Sequence, residues 1–211
     1  QHVVRTEETD GPAAAERRAA GNLVLVAALL FPGAAGLCVV WPSFEVLFVA
    51  DAYRGRLSAV AATTFPALGL FALALYGVAP LFQLRRRTAP VIAAAAVAAV
   101  TDALLLWGVA PTDAAGVAGV QLAAFAAGAA TLAGLAARVL PWRDLAVAAA
   151  AAGAMAACLW PSRTWWPPSA AVLGLQVAAG GVIYGVLALA LDIAGTRASL
   201  GRLRRAIRRR S

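Results

Sequence analysis

Histidine occurs once (His2), cysteine twice (Cys38 and Cys158), and lysine not at all. One imidazole and two thiols with no ligand spacing exclude a zinc or haem centre, so no metal and no cofactor is expected. Both cysteines sit within apolar runs, where they read as small core residues or, less simply, as one bridge between helices. Charge is also scarce, at 13% of residues, about half the share of a soluble domain. No serine lies on a nucleophile elbow, no glycine-rich loop could cradle phosphate, and no two acids are paired at useful spacing. The chain is not expected to be an enzyme.

What fills the chain instead is apolar: 62% of its 211 residues. Several runs exceed the ~18 apolar residues that mark a membrane span. The expected fold is all-α, a polytopic membrane helix bundle with about six transmembrane helices. The spans are read at 22–40, 57–84, 89–109, 114–137, 145–160 and 169–191. Residues 1–20 are polar and form a loop or frayed helix start. The bundle covers 21–194, and 195–211 form a basic tail.

Prolines punctuate these runs. Pro32, Pro66 and Pro80 predict bends, because proline removes a backbone donor and its ring crowds the preceding turn. Trp41-Pro42 is expected to end the first span, with 43–53 a short amphipathic piece at the outer interface carrying Glu45 and Asp51. Pro111 to Asp113 turns the chain between the third and fourth spans. The fourth is dense in small residues, Gly116, Gly119, Ala123, Ala127, Gly128 and Gly134, at spacings that let a neighbouring helix approach closely.

All 18 basic residues are arginine, and the net charge is +8. They cluster beside the ends of apolar runs rather than on one face, which speaks against nucleic-acid binding. With six spans, arginines 5, 17, 18, 85–87, 138, 143 and those from 197 onward share one side, while 54, 56 and 163 lie on the other. That asymmetry places both termini in the cytoplasm. The six tryptophans, 41, 107, 142, 160, 165 and 166, all fall at ends of spans, where an indole prefers the interface. From Ala198 to Arg210, Leu200, Leu203 and Ile207 line one side of an arginine-rich helix suited to an anionic leaflet.

Four side chains are candidates for a substrate or ion path. Asp102 is a carboxylate near the middle of the third span, where charge is expensive and must face the bundle interior or a wet cavity. It could contact substrate or carry a coupling proton or sodium ion; alternatively it is protonated or hydrogen-bonded and fixes packing. Gln121 and Gln176 could line a cavity or bond between helices. Tyr76, with Thr63 and Thr64, could border a polar path, although threonine also bonds its own helix. Arg54, Arg56, Arg85, Arg86 and Arg87 are candidates for contact with anionic lipid or a lipid-linked head group.

Several stretches occur in a telling order. Pro32-Gly-Ala-Ala-Gly-Leu is followed by the short outer segment Phe44-Glu-Val-Leu-Phe-Val-Ala-Asp-Ala-Tyr53. Pro66 to Pro80 precedes the basic turn Phe82-Gln-Leu-Arg-Arg-Arg-Thr-Ala-Pro90. An apolar span with Asp102 then leads to Pro111 and Gly116-Val-Ala-Gly119. From Pro32 onward the chain resembles the second half of a polysaccharide or lipid-linked oligosaccharide flippase. That superfamily also holds the multidrug and toxin extrusion exporters and the lipid II flippases. The resemblance implies a bacterial inner-membrane transporter working by alternating access, with a lipid-linked glycan as substrate and anionic lipids around it.

It also implies two homologous lobes about a central cavity. Only six spans are present, so the chain is expected to be the last six helices of a longer protein, with an N-terminal lobe as partner and 1–20 an internal cytoplasmic loop. Relatives often carry asparagine where this chain has Asp102, so a charge-coupled role is not inherited. Two alternatives stand beside this reading: an ion-coupled multidrug exporter of the same superfamily, and a non-transporting scaffold subunit of a polysaccharide-synthesis complex.

Overall fold

The computed structural model describes residues 11–55, 57–198, 200 and 201. Arg56 and most of the basic tail, including Leu203 and Ile207, lie outside the described residues. Among those described, the fold is all-α, and six helices are long and apolar enough to cross a membrane.

Helix α1 (Pro12–Phe48) is the longest, 37 residues or about 55 Å, well beyond the ~30 Å hydrocarbon layer. Gly11 at positive φ and Pro12 at the first turn start it, the usual division of labour at a helix N-terminus. Residues 12–20 are therefore helical, carrying Glu16, Arg17 and Arg18 out of the apolar zone.

The expected stop at Trp41-Pro42 does not occur. The helix continues to Phe48, because packing outweighs the one backbone bond that Pro42 forfeits. Trp41 packs on Phe44 and Phe65 with ring centroids 5.5 Å away in each case. Ser43 and Glu45 are buried. Glu45 accepts from the Gly55 N–H at 2.8 Å and from the Ser58 hydroxyl at 2.9 Å. It thus ties α1 to Gly55, just ahead of the next helix, and to the first turn of that helix, α2 (Leu57–Ala72). At its own C-terminus, α1 receives Arg54, whose guanidinium donates to the carbonyls of Val49 and Val46.

The second span is one continuous rod in three parts: α2, a π-helical segment (Leu73–Val78) and α3 (Ala79–Leu84). Of the two bends expected in it, Pro66 leaves α2 regular, and the irregularity lies ahead of Pro80. A wider turn there relieves the clash between the proline ring and the preceding carbonyls. The rod ends in a Schellman motif, with Arg86 N–H to Gln83 O at 3.0 Å and Arg87 N–H to Phe82 O at 2.9 Å. Arg86 occupies the left-handed position, φ 52°.

After the arginine turn come α4 (Ala89–Val109), α5 (Ala114–Leu135), α6 (Trp142–Leu159), a single turn α7 (Ser162–Trp165) and α8 (Ala170–Ala190). Asp113 caps α5 by accepting from the Gly116 N–H at 2.8 Å, and Ser169 caps α8 through the Val172 N–H at 3.3 Å. The fourth helix ends two residues earlier than expected. The fifth begins three residues earlier, because Trp142 anchors the turn by donating its indole N–H to Ala137 O at 2.9 Å.

Two three-helix groups share the seam between α1 and the second span. In one, α6 and α8 pack on α1 and on each other; in the other, α2 and α4 flank α5 and hardly meet. Small residues make these approaches possible. A Cβ on Gly77 would overlap Leu23, and a Cβ on Gly128 would come within 2.9 Å of Ala98 Cβ and 3.0 Å of Ala94 O. Large apolar side chains such as Leu29, Ile92, Val100, Leu104, Val182 and Val186 point outward, the arrangement a lipid-solvated bundle requires.

Removing the Glu45 tie is expected to be costly. Its carboxylate is buried and accepts two hydrogen bonds, so Glu45→Ala should lower stability by about 3 kcal/mol. Thermal unfolding in detergent reads this directly. A midpoint equal to that of the wild type would mean that these bonds do not hold α1 to α2.

Candidate functional site

Because α2 and α4 both lie along α5 without closing on each other, a groove of about 390 Å³ remains between them. Its floor is α5, through Ala124, Phe125, Gly128 and Leu132. One wall is Phe71, Ala74, Leu75 and Ala79 of the second span; the other is the alanine face of α4 from Val91 to Ala99. From Val91 to Asp102 the groove runs about 16 Å along α4, at 1.5 Å per residue.

Two polar residues stand at its far end, Asp102 on α4 and Gln121 on α5. Their meeting follows from the hairpin. Asp102 lies seven residues before the end of α4 and Gln121 seven residues after the start of α5. Both therefore sit about 10 Å from the Pro111 turn. The carboxylate is half-buried, and its Oδ1 is shielded with no hydrogen-bond partner among the described residues. Lipid would be the worst surrounding for it; it stands instead beside Gln121 at the end of the groove.

The other candidates are elsewhere. Gln176 is 3% exposed and belongs to the opposite helix group. Its amide donates to the Ser162 hydroxyl at 2.8 Å, which in turn donates to Leu159 O at 2.6 Å. The amide oxygen has no partner among the described residues. This chain ties α8 to the short α7 and forms no common face with Asp102 and Gln121. Tyr76 is 67% exposed and does not line the groove; it lies in the widened π turn, whose neighbours Ala74 and Leu75 face inward instead. Thr63 bonds the carbonyls of its own helix, Ala59 and Val60.

The arginines also divide. Arg54 is engaged with α1 carbonyls and with Asp51. Arg85 pairs with Glu16 at 2.9 Å. Arg86 holds the left-handed turn and Arg87 is exposed. Cys38 and Cys158 are both free thiols.

Sequence reasoning overlooked Phe71 on the groove wall and Phe125 on its floor, whose rings meet at 5.3 Å. It also took Glu45 for an interfacial charge when it is a buried acceptor tying α1 to Gly55 and Ser58. The signal for the groove was available: an acid and an amide equidistant from the turn of a hairpin must lie at one depth. For Glu45 there was none, since its partners lie in the next span.

No protein-family model matches the chain, and neither curated proteins nor solved structures offer a significant match.

Gly128 keeps α4 within reach of α5 at the groove floor. Gly128→Leu is expected to part the two helices, because the new side chain meets the Ala94 carbonyl and the Ala98 methyl. Overpacking of this kind costs about 1–3 kcal/mol. Thermal unfolding in detergent measures this, and a midpoint equal to that of the wild type would contradict the close approach.

Proposed function

We propose that this chain is the lobe of a membrane transporter that carries a lipid-linked oligosaccharide or polysaccharide precursor across a bacterial inner membrane by alternating access. The observation that supports it most is the division of the groove. An apolar channel about 16 Å long suits a lipid tail. The acid and amide at its end suit sugar hydroxyls, which donate to Asp102 and both donate to and accept from Gln121. Such a site binds and reorients an amphipathic molecule. The arginine asymmetry in the sequence favours both termini in the cytoplasm, which puts Asp102 and Gln121 in the outer half of the bilayer. On this reading an N-terminal lobe of the same transporter completes the cavity.

The unpartnered Asp102 oxygen favours a second reading, export of amphipathic cations, for which a shielded carboxylate is the natural counter-charge. The two separate by binding. With the full chain in nanodiscs, a photoreactive lipid-linked oligosaccharide should label α4 and α5, and Asp102→Asn should weaken it only a few-fold, since asparagine still accepts hydrogen bonds. A lipophilic phosphonium cation, if it is the true ligand class, should lose at least tenfold in affinity in Asp102→Asn, about 1.4 kcal/mol. Labelling spread evenly over all lipid-facing helices, with neither ligand sensitive to residue 102 or 121, would sink both readings.

A further inference from the structure

A second cleft, of about 240 Å³, opens at the arginine-rich end of the bundle, away from the groove. Glu16 of α1, Phe82 and Arg85 at the end of the second span, Leu135 at the end of α5, and Arg138 and Val139 beyond it line the cleft. Its base is apolar, with Leu81 and Phe82 both buried. Its mouth is charged. Arg85 directs both Nε and Nη2 to a single oxygen of Glu16, each at 2.9 Å. Arg138 is exposed and makes no hydrogen bond or ion pair among the described residues. Two guanidinium groups against one carboxylate leave one uncompensated positive charge.

We propose that this cleft binds the phosphodiester head group of a singly anionic phospholipid, with Arg138 as its main contact and Arg85, oriented by Glu16, as the second. One phosphodiester carries the one negative charge that the cleft lacks, and a guanidinium can hold two of its oxygens at once. A lipid fits better than a free anion because the surface beside the charged mouth is apolar. Leu135 is 55% exposed beside the cleft, so acyl chains can descend along α5 from a head group held at the mouth. The depth is right as well: Trp142, half-exposed and tethered to Ala137 O at 2.9 Å, marks the level where indoles sit at a membrane surface. The site is distinct from the Asp102 groove and does not depend on what that groove carries.

The test uses the full chain purified in neutral detergent, with thermal unfolding followed as phosphatidylglycerol, phosphatidylcholine or inorganic phosphate is added. Phosphatidylglycerol should raise the midpoint, and phosphatidylcholine should not. Arg138→Gln should lose more than half of that rise. Arg143→Gln, in the first turn of α6 and outside the cleft, should keep it. Arg138→Lys should retain part of the rise, which guards against a variant that merely folds poorly. Glu16→Gln should strengthen the response by removing the competing carboxylate. Equal losses in Arg138→Gln and Arg143→Gln would mean diffuse attraction and overturn the site. So would a full rise with phosphatidylcholine, or with inorganic phosphate alone.

Discussion

A carboxylate inside a bilayer must be surrounded by something other than hydrocarbon, at a cost of about 3 kcal/mol or more if it is not. In this chain that constraint falls on Asp102, and the arrangement of the α4–α5 hairpin answers it. Gly128 and the alanines of α4 bring the two helices close, and their equal distance from the Pro111 turn sets the acid and Gln121 at one depth. The second span then stands off from α4, leaving the two polar groups at the end of an apolar groove. Had α4 closed on α2, the acid would have been entombed. Had α5 carried a bulky residue at 128, it would have met Ala94 and Ala98 of α4.

The rest of the bundle serves as the frame for this hairpin. Helix α1 joins the two groups, and its length lets it brace both ends: Glu16 holds Arg85 at one end, and Glu45 holds Gly55 and Ser58 at the other. Helix C-termini are closed by arginines folded back on carbonyls, Arg54 on α1 and Arg197 on α8, the latter at 2.7 Å to Leu189 O. These contacts place guanidinium groups on orphan carbonyls that water would otherwise have to reach. They also explain why an arginine beside a span is not automatically a lipid ligand. Arg54 is occupied; Arg138 is not.

Much of this was legible in the residues. The six spans follow from run length and from the tryptophans at their ends, because lipid demands apolar rods with every backbone bond made inside them. The turns at 85–88 and 111–113 follow from arginine, proline and aspartate. What escaped were features set by neighbours rather than by local pattern. Pro42 looked like a terminator, yet Trp41, Phe44 and Phe65 hold the helix through it. Tyr76 looked like a path residue, yet the π turn before Pro80 leaves it on the outside. Gln176 looked equivalent to Gln121, being equally far into its helix, yet its partner Ser162 arrives on a one-turn helix that no periodicity announces. Local sequence fixes which segments cross; tertiary contact decides which way a polar side chain on such a segment faces.

The shielding of residue 102 is the point on which the account turns, and spin labelling measures it. Labels would be placed singly at 102 and at 104, where Leu104 is 62% exposed on the outer surface, after Cys38 and Cys158 are replaced by alanine. The full chain in bilayers should show high collision with oxygen and little with a water-soluble nickel chelate at 104. At 102, oxygen collision should be low and nickel collision higher. Equal, oxygen-rich environments at both positions would put the acid against acyl chains and contradict the structure's central arrangement.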